Sequence, residues 1–123
     1  IEEHLEHCSD CRDDIIVTGA IEYLPIWYYA PANAQGRIKY LADPEGQVEV
    51  TGSDTVDRGY LALSRWLPLP VERIGDFGRA HRRFFLYAPG VSDTWTERRI
   101  RTWDATFTFI GRDGGGSLFE IVH

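Results

Sequence analysis

Three side chains that commonly bind metal stand close together near the start of the 123-residue sequence. His4, Cys8 and Cys11 follow the spacing His-x3-Cys-x2-Cys. The first two are one helical turn apart, and the third is near enough for all three to reach one ion. This spacing predicts three of the four ligands of a zinc site, on an N-terminal helix over residues 1–12. The alternative is a solvated helix that carries two thiols and no metal.

The string HLEHCSDCR, which contains this spacing, resembles the His-x3-Cys-x2-Cys core of zinc-binding anti-sigma factor domains. That resemblance is confined to the first stretch of the chain. It implies that His4, Cys8 and Cys11 are the zinc ligands of a regulatory module, which is one functional hypothesis. A second hypothesis needs no cofactor, and a third is a free-standing small-molecule enzyme with a concave site at the strand ends.

A second group of candidates lies where predicted strands end. Thr18 and Gly19 follow the apolar run IIV, and Asp43 follows the run IKYLA. Ligands of α/β sheets bind at the carboxyl ends of the strands, so Thr18 and Gly19 are candidate binding residues. Asp43 could form an acid/base pair with Glu22, but a carboxylate before Pro44 more commonly begins a turn. The glycine fingerprint of a dinucleotide site does not follow the first strand.

Aromatic and cationic residues provide the remaining candidates. Trp27, Tyr28 and Tyr29 are consecutive, so they cannot all face one core, and we expect at least one ring to point outward. An exposed Tyr or Trp favours an interface with a membrane surface, a sugar ring or a neighbouring domain. Around His81, the residues Arg79, Arg82 and Arg83 form a cationic cluster. Such a cluster could bind a lipid phosphate or an anionic saccharide carrier, although a solvated face is the commoner explanation.

The bulk composition limits the classes of function. A net charge of −6 argues against nucleic acid as a partner, because such binding depends largely on cationic side chains that neutralise phosphates. The hydrophobic content of 43% is that of a globular protein, and residues 13–123 suit one domain. No run of eighteen apolar residues predicts a membrane span. No Gly-x-Ser-x-Gly elbow is present, no catalytic residue is assigned, and whether the chain is an enzyme stays open.

The first half of the domain is predicted from its apolar periodicity. We expect Ile15–Val17 to form the innermost strand and a helix to begin near Tyr23, since Pro25 is best placed in a first turn. The stretch ANAQG is expected to be a loop. QVEVT, residues 47–51, alternates and predicts an edge strand or an extended connector. Ser53 or Asp54 caps the clearest helix of the sequence.

The second half repeats the alternation of strand and helix. A brief strand at 71–74 precedes a helix through His81, and a buried strand follows at 82–89. In the last helix, Arg98, Arg99 and Arg101 are expected to face outward. Two runs around GRDGGG then form a hairpin. The sequence predicts an α/β, Rossmann-like three-layer sandwich whose mostly parallel sheet ends in a C-terminal antiparallel hairpin.

The succession IIVTGAIEYLPIWYYAP, IKYLADPEG, GSDTVDRGYLALSRWLPLPVE, FGRAHRRFFLYAPG and LFEIV resembles the soluble C-terminal region of bacterial multi-pass membrane glycosyltransferases. These are proteins of the dolichyl-phosphate-mannose mannosyltransferase-like and Rgt types. The resemblance implies a parent that uses a polyprenyl-phosphate sugar and holds its catalytic Asp outside this chain. It implies an accessory or acceptor-recognising domain on the extracytoplasmic face of the inner membrane. Its partners would be the membrane portion and a saccharide or lipid-phosphate carrier.

Overall fold

A computed structural model describes residues 13–89, 95–113 and 115–123, which form a six-stranded sheet with helices on both faces. The strands are β1 (Ile15–Val17), β2 (Ile38–Ala42), β3 (Val71–Arg73), β4 (Arg83–Pro89), β5 (Thr106–Asp113) and β6 (Gly116–Val122), in the order β3-β2-β1-β4-β6-β5. Strands β1 to β4 are parallel, and β6 pairs antiparallel with both β4 and β5. The predicted α/β class and terminal hairpin are confirmed.

Two helical layers sandwich the sheet. The helices are α1 (Ala20–Tyr29), α2 (Ala32–Gln35), α3 (Pro44–Thr51), α4 (Thr55–Leu63), α5 (Ile74–Ala80) and α6 (Trp95–Arg101). Side chains of α1, α2 and α4 pack on one face, and those of α5 and α6 pack on the other. The helix α3 contacts both α4 and α6, so it joins the two layers beside the end of β2. None of the described helices is long and apolar enough to cross a membrane.

The short strand β1 is the most deeply buried element. Ile15 and Val17 pack with Tyr23 on one face of the sheet, whereas Ile16 packs with Phe77 on the other. All three β1 side chains are at most 1% exposed. Apolar residues are needed at every position because both faces are covered, which explains the unbroken run in the sequence. The prediction that Ile15–Val17 is innermost is confirmed.

The predicted late start of the first helix is wrong. Helix α1 begins at Ala20, and Pro25 lies inside it with its ring exposed to solvent. Two hydrogen bonds of Tyr23 hold the first turn in place. Its backbone N–H donates to the Gly19 carbonyl at 3.0 Å, and its side-chain hydroxyl donates to the Ile38 carbonyl at 2.9 Å. These contacts outweigh the preference of proline for the first turn. The predicted ANAQG loop contains the single turn α2.

The predicted strand or connector at 47–51 is also wrong, because these residues belong to helix α3. Asp43 caps the helix by accepting the Gly46 N–H at 3.1 Å, and Pro44 occupies the first turn. The helix ends at Gly52, whose φ of +79° is the left-handed conformation that glycine adopts without strain. The alternation in QVEVT was misleading because Val48 and Val50 are both exposed on the helix.

Candidate functional site

A hydrogen-bonded polar cluster lies at the carboxyl edge of the sheet, where the parallel strands end. We call it the strand-end cluster. Its members come from β2 and from three helices that belong to different layers. They are Tyr40, Asp43, Gln47, Asp57, Trp95 and Arg99. Ligands of α/β sheets usually bind at the strand ends, so this cluster lies where a binding site is expected.

Asp57, at 0% exposure, is the centre of the strand-end cluster. One carboxylate oxygen accepts the Tyr40 hydroxyl, and the other accepts the Asp43 N–H and the Trp95 indole N–H, both at 2.8 Å. Its own N–H donates to Oε1 of Gln47 at 3.0 Å. Because these partners lie on β2, α3 and α6, Asp57 connects α4 to elements on both faces of the sheet.

Asp43, at 2% exposure, is the second buried carboxylate. Its side chain caps α3 and also accepts hydrogen bonds from Nε of Arg99 at 3.0 Å and from Nη2 at 3.3 Å. A Cβ added at Gly46 would overlap this carboxylate, so only glycine fits there. The two-point bond fixes the plane of the Arg99 guanidinium. The expectation that Arg99 faces outward is therefore wrong, since Asp43 draws it to the edge of the sheet.

Tyr40 and Tyr23 are buried phenols that stay protonated, and Tyr40 lies beside Asp57. Burial raises the pKa of Tyr40 far above its usual range, and the charge of Asp57 and the hydrogen bond to it act in the same direction. Burial likewise raises the pKa of Tyr23, with a smaller contribution from Tyr60. The rings of Tyr40 and Tyr60 stack at a centroid distance of 4.5 Å. Tyr40 thus serves Asp57 as a neutral hydrogen-bond donor.

Two clefts open on either side of Arg99. The first encloses about 320 Å³ and is lined by charged side chains from β3, α5 and α6, by Asp43 and Glu45, and by the ring of Trp103. The second encloses about 240 Å³ beside α3 and α6. The first cleft contains three arginines and three carboxylates, which are Arg73, Arg79, Arg99, Asp43, Glu45 and Asp76. It can therefore make several directed polar contacts with a small ligand.

The predicted binding residues Thr18 and Gly19 lie at the carboxyl edge of the sheet, between β1 and α1. The Thr18 side chain is buried, and its N–H donates to the Tyr87 carbonyl at 3.1 Å. Gly19 precedes α1 and provides the carbonyl that closes its first turn. Neither residue lines the two clefts beside Arg99. In the described structure, both therefore connect β1 to α1, and their predicted binding role stays a prediction.

The predicted arginine cluster is divided between opposite edges of the sheet. Arg79 reaches back along α5 to pair with Asp76 and lines the first cleft. Arg82 and Arg83 lie at the amino edge, where the parallel strands begin. Arg83 pairs with Glu120 at 3.0 Å and with Asp13 at 3.5 Å, and Arg82 is exposed. The three arginines are near one another in sequence but do not form one surface.

The predicted aromatic run is also divided, between core and surface. Trp27 is partly buried against the cluster that contains Tyr23, and its indole nitrogen is buried without a hydrogen-bond partner among the described residues. Tyr28 is 68% exposed and Tyr29 is 77% exposed, with their rings edge to face. Sequence reasoning did not single out Trp66, which is 85% exposed. The expectation that at least one ring points outward is met by Tyr28 and Tyr29.

The predicted zinc ligands His4, Cys8 and Cys11 lie outside the described residues, so the zinc hypothesis stays a prediction. Within residues 13–89, 95–113 and 115–123, no group of three or more His, Cys, Asp or Glu side chains is arranged to hold a metal ion. Glu22 and Asp43, suggested as an acid/base pair, form no hydrogen bond with each other in the described part of the chain. Asp43 instead bonds to Arg99 and Gly46, and Glu22 is exposed.

Sequence reasoning missed Asp57 and Arg99 as members of one cluster. A signal for Asp57 was present, because it precedes Tyr60 by three residues and so lies on the same face of α4 as a buried ring. For Arg99 the sequence offers no comparable signal, since its partner Asp43 is 56 residues away. Comparisons of the chain with protein-family models, with curated proteins and with solved structures find no match.

Proposed function

We propose that this chain is an extracytoplasmic soluble domain of a polyprenyl-phosphate-sugar-dependent membrane glycosyltransferase. In this proposal it is an accessory or acceptor-recognising domain that docks on the membrane portion of the parent chain and is not catalytic alone. The family resemblance of residues 13–123 suggests the parent. The observation that carries the docking role is the set of exposed aromatic rings at the amino edge of the sheet.

These rings come from two helices that end at the same edge. Helix α1 leads from the end of β1 back to the start of β2, and α4 leads to the start of β3, so both run toward the amino edge. Midway along them, the rings of Tyr23 and Tyr60 meet at a centroid distance of 5.8 Å. Tyr28 and Tyr29 end α1, and Trp66 follows α4. The topology thus places all three exposed rings at one end of one helical layer.

Large exposed aromatic rings favour an interface. Tyr and Trp have an apolar body and a polar atom, which suits a surface that is partly dry and partly wet. Leu67, beside Trp66, is 45% exposed and adds apolar area. Asp13 and Asp14 lead into β1 at the same amino edge. The described chain therefore enters the sheet at the edge that carries the aromatic rings.

The two buried carboxylates of the strand-end cluster are engaged within the fold. Both oxygens of Asp57 accept hydrogen bonds from within the fold, and both oxygens of Asp43 are bonded to Arg99. Carboxylates that act as general acids or bases must exchange protons with a substrate. Buried carboxylates with this many internal donors are better explained as connectors between layers. This reading agrees with a parent whose catalytic Asp lies elsewhere.

The test uses the full-length gene product in its own membrane. A photo-crosslinking amino acid replaces Trp66 in one variant and Ile110 in a matched control, since Ile110 is exposed on the distant strand β5. We expect the protein in the membrane fraction and crosslinks from position 66 to a membrane-embedded peptide of the same chain. A protein found only in the soluble fraction, or equal crosslinking from both positions, would contradict the proposal.

A further inference from the structure

The first cleft contains hydrogen-bond donors that the fold does not use. Asp43 engages Nε and Nη2 of Arg99, which leaves Nη1 of this 37% exposed side chain outside the pair. Arg73, the last residue of β3, is exposed, and its side chain makes no hydrogen bond or ion pair within the described part of the chain. Arg73 and Arg99 both line this cleft.

Two of the three arginines of the cleft are already paired with carboxylates. Arg99 pairs with Asp43, and Arg79 pairs with Asp76. Glu45 also lines the cleft. Among the arginines of this cleft that the structure describes, Arg73 is the one that forms no ion pair. An anionic ligand could pair with it.

We propose that this cleft binds the phosphate group of a small phosphorylated molecule through Arg73 and Arg99. Guanidinium groups bind phosphate through parallel N–H donors, and a tetrahedral phosphate can accept from two of them at once. Arg99 is already held by the buried Asp43, so little conformational freedom is lost when it binds. Asp43 is thus a positioning residue for Arg99.

The volume and the lining of the cleft suit a small ligand. A volume of about 320 Å³ lies at the small end of the range for ligand pockets. The ring of Trp103 provides apolar surface in the lining, against which the carbon skeleton of a sugar could pack. Phosphate binding in this cleft does not depend on docking to the membrane portion. The cleft is at the carboxyl edge of the sheet, whereas the rings proposed for docking are at the amino edge.

Titration of the ¹⁵N-labelled chain with inorganic phosphate and with a hexose phosphate, followed by NMR, tests this inference. We expect saturable shifts at Arg73, Gly75 and Arg99, with tighter binding of the hexose phosphate. Arg73→Gln should weaken binding about tenfold, because it removes a charge-assisted hydrogen bond. Arg73 is exposed, so this variant should stay folded. Arg112→Gln is the matched control, since Arg112 is exposed on β5 outside both clefts.

Three results would overturn the proposal. The first is the absence of saturable shifts with either compound. The second is an equal loss of affinity in Arg73→Gln and Arg112→Gln, which would indicate attraction by overall charge. The third is equal affinity for inorganic phosphate and hexose phosphate, which would indicate a site for the free anion alone. Binding that is tighter for the hexose phosphate and specifically sensitive to Arg73 would support the proposal.

Discussion

The two edges of the sheet distribute their polar and aromatic groups in opposite ways. At the carboxyl edge, the carboxylates of Asp43 and Asp57 are buried and bonded to several elements of the fold. At the amino edge, Tyr28, Tyr29 and Trp66 are largely exposed. Groups that a fold uses internally should affect stability when they are replaced, whereas groups that it leaves exposed are available to a partner. The contrast separates what holds this domain together from what it offers to others.

The largest expected effect is at Asp57. Asp57→Ala removes the acceptor of the buried Tyr40 hydroxyl and Asp43 N–H and of the partly buried Trp95 indole N–H. We expect the free energy of unfolding to fall by about 3 kcal/mol or more, measured by urea denaturation. Glu49→Ala is the control, because Glu49 is exposed on α3 near the same cluster, and its effect should stay within about 0.5 kcal/mol. Similar losses of stability in the two variants would show that the buried bonds of Asp57 do not hold this edge of the fold together.

A smaller effect separates two tryptophans at the amino edge. Trp27→Ala removes a ring that packs against the core, and we expect a loss of about 2 kcal/mol in the free energy of unfolding. Trp66→Ala removes a ring that is 85% exposed, so the change should be within about 0.5 kcal/mol. Thermal and urea melts of both variants measure the difference. Docking should depend on Trp66, and a large loss of stability in Trp66→Ala would show that this ring is structural.

The smallest effect is a dependence on alkaline pH. A tyrosine in an unfolded chain ionises near pH 10, whereas the raised pKa values of Tyr40 and Tyr23 keep both phenols protonated in the folded state. Their contribution to stability is present below about pH 10 and is lost as the pH rises above it, because only the unfolded state releases these protons.

Tyr40→Phe should therefore make the alkaline loss of stability shallower, by up to about 1.4 kcal/mol per pH unit. At neutral pH the same variant should cost about 1 kcal/mol, because the hydrogen bond to Asp57 is lost. Urea denaturation between about pH 8 and pH 11 measures both quantities. An alkaline slope that is the same in Tyr40→Phe and the parent chain would show that this phenol does not stay protonated in the fold.

The layered architecture could be predicted from the sequence because it follows from local patterns. The unbroken apolar run Ile15–Val17 predicted a strand covered on both faces, and two runs around a glycine-rich turn predicted the hairpin of β5 and β6. Helix α3 was missed because the alternation in QVEVT outweighed two stronger helix signals, which were the Asp43 cap before Pro44 and Gly52 after Thr51. Caps at both ends are better indicators than alternation over five residues.

The candidate site could be predicted only in part, because its contacts join distant parts of the chain. Thr18, Gly19 and Asp43 were located at strand ends, but the pairing of Asp43 with Arg99 depends on how α6 packs beside α3. The cationic residues near His81 are separated by the geometry of α5, which sends Arg79 to one edge and leaves Arg82 and Arg83 at the other. Closeness in sequence did not predict closeness in space.

Amide hydrogen exchange is the most direct test of the division between the two edges. The measurement compares this chain by itself with the same residues inside the membrane-embedded parent that our proposal requires. We predict that the parent slows exchange at residues 28–30 and 64–67, at the amino edge, and leaves exchange at residues 43–47 unchanged. Slower exchange at residues 43–47 with no change at the amino edge would contradict the account.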